Sequence, residues 1–441
     1  MMSFAELWDS LLDIGRDTAT GGYRRYSFTD ADAACRSWFM KTAAERNLRI
    51  DSDRNANLWA WWDVGDRDLA DVVPAELGQR RRPAGGRPEP MGRGGVLGGR
   101  PPRANTVVTG SHLDSVPDGG AFDGPLGVVS AFAAVDMLRE RGFAPARPVA
   151  VAAFLEEEGG RFGMACLGSR LLTGAVTPVT ARELRDGDGV SLAEAMAGAG
   201  LDPAGLGADE ELLARIGAFV ELHIEQGSAL DGLGAAVGVA ESIWPHGRWR
   251  LDFTGRADHA GTTRLDDRRD PMLPYAAAVL EARQAAAAAG ALATFGKVVA
   301  EPGAANAISS AVHAWLDARA PDPEVLDHLV GQIEAAARRA AQAQGVELSV
   351  RRESFTPLVE FDPALRARVS RALAGRGIAA PVLPTGAGHD AGFLAARVPT
   401  AMLFVRNPTG VSHSPAEHAS RADCEAGVVA LAAVLEELTS P

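Results

Sequence analysis

The sequence predicts an α/β protein: a mixed-sheet α/β/α catalytic domain interrupted by a smaller inserted α+β domain. Three observations lead there. Short apolar runs at 106–110, 148–155, 218–222 and 400–405 alternate with helical stretches, as the strands of a helix-covered sheet do. Polar residues suited to chemistry follow each run. The segment 242–350 then changes character, to an alternating strand and long amphipathic helices.

Taken in order, Thr29 is placed to cap a helix over 30–47. Residues 57–62 read as a strand. Residues 76–104 are rich in Arg, Gly and Pro without periodicity, and a flexible surface insertion is expected there. An arginine patch for an anionic partner is the alternative. The run 106–110 is a buried strand leading to His112, and 127–139 is a helix whose small residues pack on a sheet. Residues 148–155 form a strand ending at three glutamates, 218–222 one ending at His223, and 400–405 one followed by the loop of His413. In such sheets, sites form beyond the carboxyl ends of the strands. Within the insert, 248–254 and 311–318 read as strands, and 271–289 and 323–344 as helices. The expected division is 1–241 with 351–441 for the larger domain and 242–350 for the smaller.

At 441 residues the chain is too long for one ordinary core. A hydrophobic content of 46% with 23% charged residues is that of a soluble globular protein. A net charge of −13 offers no basic surface, which excludes nucleic acid as a partner while leaving room for a local pocket that takes a carboxylate. Cys35, Cys166 and Cys424 lie far apart and form neither a disulfide framework nor a cysteine-type zinc cluster. The acidic, amphipathic start is unlike a signal peptide, and no apolar stretch approaches the ~20 residues of a membrane span. A cytoplasmic location with no membrane partner is expected.

Imidazole and carboxylate recur beside turn-forming residues. In Gly110-Ser111-His112-Leu113-Asp114-Ser115, His112 suits a metal, and Asp114 can accept its second N–H and fix the tautomer. Asp123 stands in the glycine-rich turn 119–127, where a carboxylate can approach and bridge two cations. In Glu156-Glu157-Glu158, neighbouring side chains point to opposite faces, which divides roles: Glu158 as a ligand and Glu157 as general base. His223 heads His223-Ile224-Glu225-Gln226-Gly227, and His413 lies in Ser412-His413-Ser414-Pro415. This donor set suits zinc, manganese, cobalt or nickel and not calcium. A serine or cysteine hydrolase is disfavoured, because there is no Gly-x-Ser-x-Gly elbow and Cys166 has no evident histidine partner.

In this order the motifs resemble the M20 metallopeptidase family. The match is closest to its amidase branch, which includes allantoate amidohydrolases and N-carbamoyl-L-amino acid hydrolases. The branch is marked by Glu156-Glu157-Glu158-Gly159-x-Arg161-Phe162 and by His223-Ile224-Glu225-Gln226-Gly227. The resemblance implies two divalent metal ions, His112 and His223 on one, Glu158 and His413 on the other, and Asp123 between them. It implies that Glu157 takes a proton from the water they hold and passes it to the leaving nitrogen. It further implies that the smaller domain is a lid through which a homodimer forms, with His259 reaching the partner subunit's site as an oxyanion donor. Asn306 and Arg319 match a pair that holds the carboxylate of a small-molecule substrate, and Gln226, Gly388 and His389 match further substrate contacts. The expected reaction is hydrolysis of an N-carbamoyl or ureido acid. The alternative keeps the same metals for an N-formyl, N-formimino or N-acyl amino acid, or a dipeptide. Trp244 and His246 depart from the family pattern near the hinge, which bears on the acyl pocket rather than on the metals.

Overall fold

The computed structural model describes residues 2–64 and 105–441. The insertion expected at 76–104 lies outside the described residues. The larger domain is built on a nine-stranded mixed sheet. Its centre is four parallel strands in the order Val149–Phe154, Thr106–His112, Ile216–Ile224, Thr400–Val405. Antiparallel strands flank them, Leu58–Trp62 with Arg49–Ser52 on one side and Val237–Ile243 on the other.

The central strands are apolar throughout because both faces of the sheet are covered. Val149, Val151, Val220 and Leu403 face a core formed with helices Pro125–Glu140 and Arg421–Thr439. Their neighbours Ala150, Ala152, Phe219 and Met402 face the opposite core, with Leu172, Leu230 and Leu394. The one-residue alternation of a strand thus feeds two cores at once. Parallel pairing also gives the four strands a common direction, so His112, the glutamate triplet, His223 and the chain leading to His413 all emerge at one edge.

The smaller domain is a four-stranded antiparallel sheet in the order Glu347–Thr356, His246–Thr254, Ala311–Arg319, Leu292–Glu301. Helices Met272–Ala289 and Pro323–Ala343 cover one face, where Val312, Leu316 and Ala318 pack with Ala278, Ala282, Leu329 and Ile333. The other face is left to partly exposed charged residues.

Two expectations are corrected here. The sheet has two more strands than the sequence pattern suggested, the outer pair Leu292–Glu301 and Glu347–Thr356. The boundaries also move. Val237–Ile243 belongs to the large sheet and Glu347–Thr356 pairs fully within the small one, so pairing sets the insert at about 244–356 rather than 242–350. Among the described residues, no helix is long and apolar enough to cross a membrane.

Candidate metal centre

Strand Thr106–His112 delivers His112 to the sheet edge through Gly110, which stands at φ +142°. A Cβ there would lie 1.9 Å from the Ala152 carbonyl oxygen on the neighbouring strand. Gly124, at φ +84°, lets the Asp123 turn close over the His112 ring, where a Cβ would come within 2.3 Å of it. Both positions therefore require glycine.

The His112 ring is buried. Its Nδ1 faces the Asp114 carbonyl oxygen at 3.2 Å and the Asp114 carboxylate at 3.4 Å. His223, equally buried, faces the Ile224 carbonyl oxygen through Nδ1 at 2.9 Å. A carbonyl oxygen accepts only, so each Nδ1 carries a proton and each Nε2 is the nitrogen turned toward the cluster. Both Nε2 atoms converge on one atom: Asp123 Oδ1 lies 3.6 Å from His112 Nε2 and 3.2 Å from His223 Nε2.

The other Asp123 oxygen faces a second group. Oδ2 lies 3.4 Å from His413 Nε2, which in turn lies 3.4 Å from Glu158 Oε2. The structure thus brings all five expected ligands together as two triads sharing Asp123. His112, Asp123 and His223 form one, and Asp123, Glu158 and His413 the other, with donor atoms in each within 4.8 Å of one another. His112 Nε2, His223 Nε2 and Glu158 Oε1 are buried without a hydrogen-bond partner. Among the described residues, no Arg or Lys pairs with Asp123, Glu157 or Glu158. Imidazole nitrogens and carboxylate oxygens crowded together in this way fit divalent cations.

Electrostatics agree. Against the opposing pull of burial, Glu157, Asp114 and Asp123 hold the His112 imidazole well above its usual range. His223 is raised to about 9 against burial by Asp123 and Glu221. Burial pushes Glu157 up to about 7 and, together with the charges of Asp123 and Glu157, holds Glu158 well above the carboxylate range. The cluster is short of positive charge, which protons supply when cations do not.

Asp114 has a second task that the sequence did not show. Its carboxylate accepts the backbone N–H groups of Glu157 at 3.1 Å and Glu158 at 3.0 Å, tying the glutamate loop to His112. Glu157 Oε2 stands 3.6 Å from His112 Nε2, within reach of anything held between the triads. Glu156 instead turns away and accepts the N–H groups of Arg161 and Phe162. Glu156 and His413 both adopt left-handed backbone, φ +52° and +54°, an uncommon state for such residues that concentrates at functional sites.

Sequence reasoning missed three supporting residues. Glu417 accepts the N–H groups of Phe122 and Asp123, both at 3.0 Å, and so fixes the turn that carries the shared carboxylate. Glu221 accepts hydrogen bonds from Ser111 Oγ at 2.7 Å and from the Ala391 N–H at 3.0 Å, beside the His112 and His223 strands. Cys166 Sγ donates to Glu157 Oε1 at 3.0 Å. The only available signal was proximity to the motifs in sequence.

The expected substrate residues fare unevenly. Gln226 Nε2 donates to Asp123 Oδ2 at 2.8 Å and to Ser412 Oγ at 3.2 Å, so it braces the shared carboxylate. His389 is buried with its ring 4.5 Å from that of His223, and with Gly388 it lines a cleft of about 400 Å³ beside the cluster. Arg319 Nη1 reaches across the hinge to the Gly386 carbonyl at 2.6 Å. Its fork, expected to meet a substrate carboxylate, is occupied here by Asp317 at 2.8 and 3.2 Å, because the two side chains share a face of one strand. His259 and Asn306 are exposed neighbours at the small two-stranded ladder where Asp258–His259 pairs Ala307–Ile308. Among the described residues, neither has a hydrogen bond to the cluster.

Residues 108–437 match peptidase family M20/M25/M40. The chain is 35% identical to an N-carbamoyl-L-amino acid amidohydrolase of Geobacillus stearothermophilus, over 98% of this chain and 97% of that protein. It is 35% identical to an allantoate amidohydrolase of Bacillus subtilis (strain 168), over 78% and 84%. Its structure is similar to that of a hydantoinase/carbamoylase family amidase from Burkholderia ambifaria, with a TM-score of 0.79, 29% identity and coverage of 100% and 98%. The chain belongs to peptidase family M20/M25/M40, on the amidohydrolase side of that family.

Proposed function

We propose that the protein is a dinuclear metal amidohydrolase that cleaves the C–N bond of a small N-carbamoyl or ureido acid. The observation that carries this reading is Asp123, whose two oxygens each face a separate set of metal-suited donors, with Glu157 beside them. The names of the relatives supply the substrate class.

His112, His223, Glu158 and His413 would hold two divalent cations with Asp123 between them. When bound, such a pair supplies Lewis acidity for a carbonyl oxygen and acidifies a water. The chain's own residues do the rest. Asp114 keeps the His112 lone pair turned inward and holds the glutamate loop. Glu157 takes the proton of the attacking water and delivers it to the departing nitrogen. Its raised pKa, from burial, suits a group that must both accept and return a proton near neutrality. For a carbamoyl substrate, one water gives amino acid, carbon dioxide and ammonia.

The cleft of about 400 Å³ leads away from His389 between Ile243, Val359 and Phe393. It suits the side chain of an amino-acid substrate. The smaller domain then acts as a lid: His259 meets the developing oxyanion, and Asn306 and Arg319 hold the substrate carboxylate once Arg319 exchanges Asp317 for it. We further propose a homodimer formed through this domain. Leu292, Val298 and Val299 are exposed on its edge strand, and Leu273 and Leu280 on the adjoining helix. The buried free thiols Cys35, Cys166 and Cys424 suit a cytoplasmic enzyme.

The test is a substrate screen on manganese- and zinc-loaded protein, with and without chelator. N-carbamoyl and ureido acids should be hydrolysed in preference to N-formyl, N-formimino and N-acyl amino acids or dipeptides, and chelation should abolish turnover. A preference for N-formyl or N-acyl substrates would keep the metals and replace the substrate. Turnover that survives chelation would remove both.

A further inference from the structure

We infer that Cys166 is a positioning residue for Glu157, a role that rests on Glu157 being the general base. Cys166 is buried, and its thiol donates to Glu157 Oε1 at 3.0 Å. Among the described residues, it is the only hydrogen-bond donor to that side chain. Holding Oε1 from behind turns Oε2 toward His112 Nε2, 3.6 Å away, and so toward the shared Asp123.

The backbone is built to place this thiol. Three successive N–H groups, from Cys166, Leu167 and Gly168, donate to the carbonyl oxygens of Glu157, Glu156 and Leu155 at 2.6, 3.1 and 2.8 Å. The chain therefore folds back along the glutamate loop, and Cys166 grips Glu157 by main chain and side chain together. Cys166 itself stands at φ +55°, at the start of helix Leu167–Thr173. A non-glycine residue rarely adopts that state, and here it points the side chain back at the carboxylate rather than along the helix.

The choice of a thiol has a chemical consequence. Burial, with Glu157 beside it, holds the Cys166 thiol well above its usual range, so it remains a donor. A thiol is a weak donor. It fixes the orientation of the carboxylate while competing little with the proton that Glu157 must accept. A side chain without a donor leaves Glu157 Oε1 without a hydrogen bond, in a pocket where, among the described residues, no Arg or Lys pairs with it.

The experiment compares Cys166→Ala, Cys166→Val and Cys166→Ser in the manganese-loaded full-length protein, with N-carbamoyl-L-leucine as substrate. The expected result is a loss of about tenfold in kcat for the Ala and Val variants. KM, bound metal and Tm should stay near wild type. Cys166→Ser, which restores a donor of similar size, should return kcat to within about threefold of wild type. Wild-type kcat in Cys166→Ala overturns the inference, as does an Ser variant no better than Val. A loss matched by falling metal content or Tm does so too, by reducing the residue to packing. Glu157→Gln in the same assay separates the two levels. If it is inactive while Cys166→Ala is unaffected, only the positioning role fails. If it keeps wild-type kcat, Glu157 is not the base.

Discussion

The cluster at the strand ends and the two-stranded ladder that carries His259 in the smaller domain hold similar side chains in opposite states. At the cluster, His112 and His223 are buried, each ring is fixed through Nδ1, and each Nε2 is aimed at the same carboxylate oxygen. On the ladder, His259 is exposed, and its Nδ1 accepts the Gly261 N–H at 3.0 Å. Asn306 beside it is also exposed, and Arg319 is engaged by Asp317. The difference follows from the supports. Four parallel strands covered on both faces hold the first group, whereas a two-residue strand pair holds the second. On the proposed function, the larger domain therefore assembles the candidate metal centre alone, and the smaller domain holds polar groups that would act only when brought to a substrate.

That contrast can be broken most forcefully at its shared atom. Asp123→Ala removes the carboxylate common to both triads, and activity should fall to background together with bound metal, measured by elemental analysis and steady-state assay. Retention of both metals would mean that the triads are independent. Glu157→Gln should be nearly as damaging to kcat, by about 10³-fold, while bound metal stays unchanged. Loss of metal in that variant would make Glu157 a ligand instead of a base.

His259→Ala tests the other side of the comparison. It should lower kcat by about 10²-fold and leave metal affinity untouched, since His259 has no hydrogen bond to the cluster among the described residues. A drop in metal affinity would place His259 inside the metal centre.

The smallest expected effect concerns stability in chelator. His112 and His223 are raised, His223 to about 9, so the folded protein holds protons that the unfolded chain releases near the ordinary imidazole value of 6.5. This contribution is complete below that value and is lost as pH climbs toward about 9. The Tm of chelated protein should fall across that window by a few degrees (about 2–4 °C). Saturating manganese should widen its advantage over the same range, because cations replace the protons. Parallel curves for the two forms would show that cations and protons do not compete at these histidines.

Much of this was legible in sequence, for physical reasons. Four apolar runs announced buried strands, and a parallel sheet puts whatever follows such runs at one edge, which is how five candidate ligands scattered from His112 to His413 come together. Thr29 caps its helix through the Asp32 N–H as its position implied. What stayed hidden depends on distant contact or on exposure. Glu417 acts on a turn 294 residues earlier, and no local pattern encodes that. Cys166 read as an isolated thiol, because its left-handed backbone, not its neighbours in sequence, aims it at Glu157. The strands Leu292–Glu301 and Glu347–Thr356 are largely exposed, and each lies beside a register irregularity that blurs the two-residue alternation. Arg319 looked free because Asp317 is a partner only once the strand forms.

The sharing of Asp123 by two cations can be seen directly in crystals of manganese-loaded protein, from anomalous difference maps. Two peaks roughly 3.5–4 Å apart are expected, one against His112 and His223, the other against Glu158 and His413, with an Asp123 oxygen on each. A single peak, or peaks that leave Asp123 uncoordinated, would rule the dinuclear centre out.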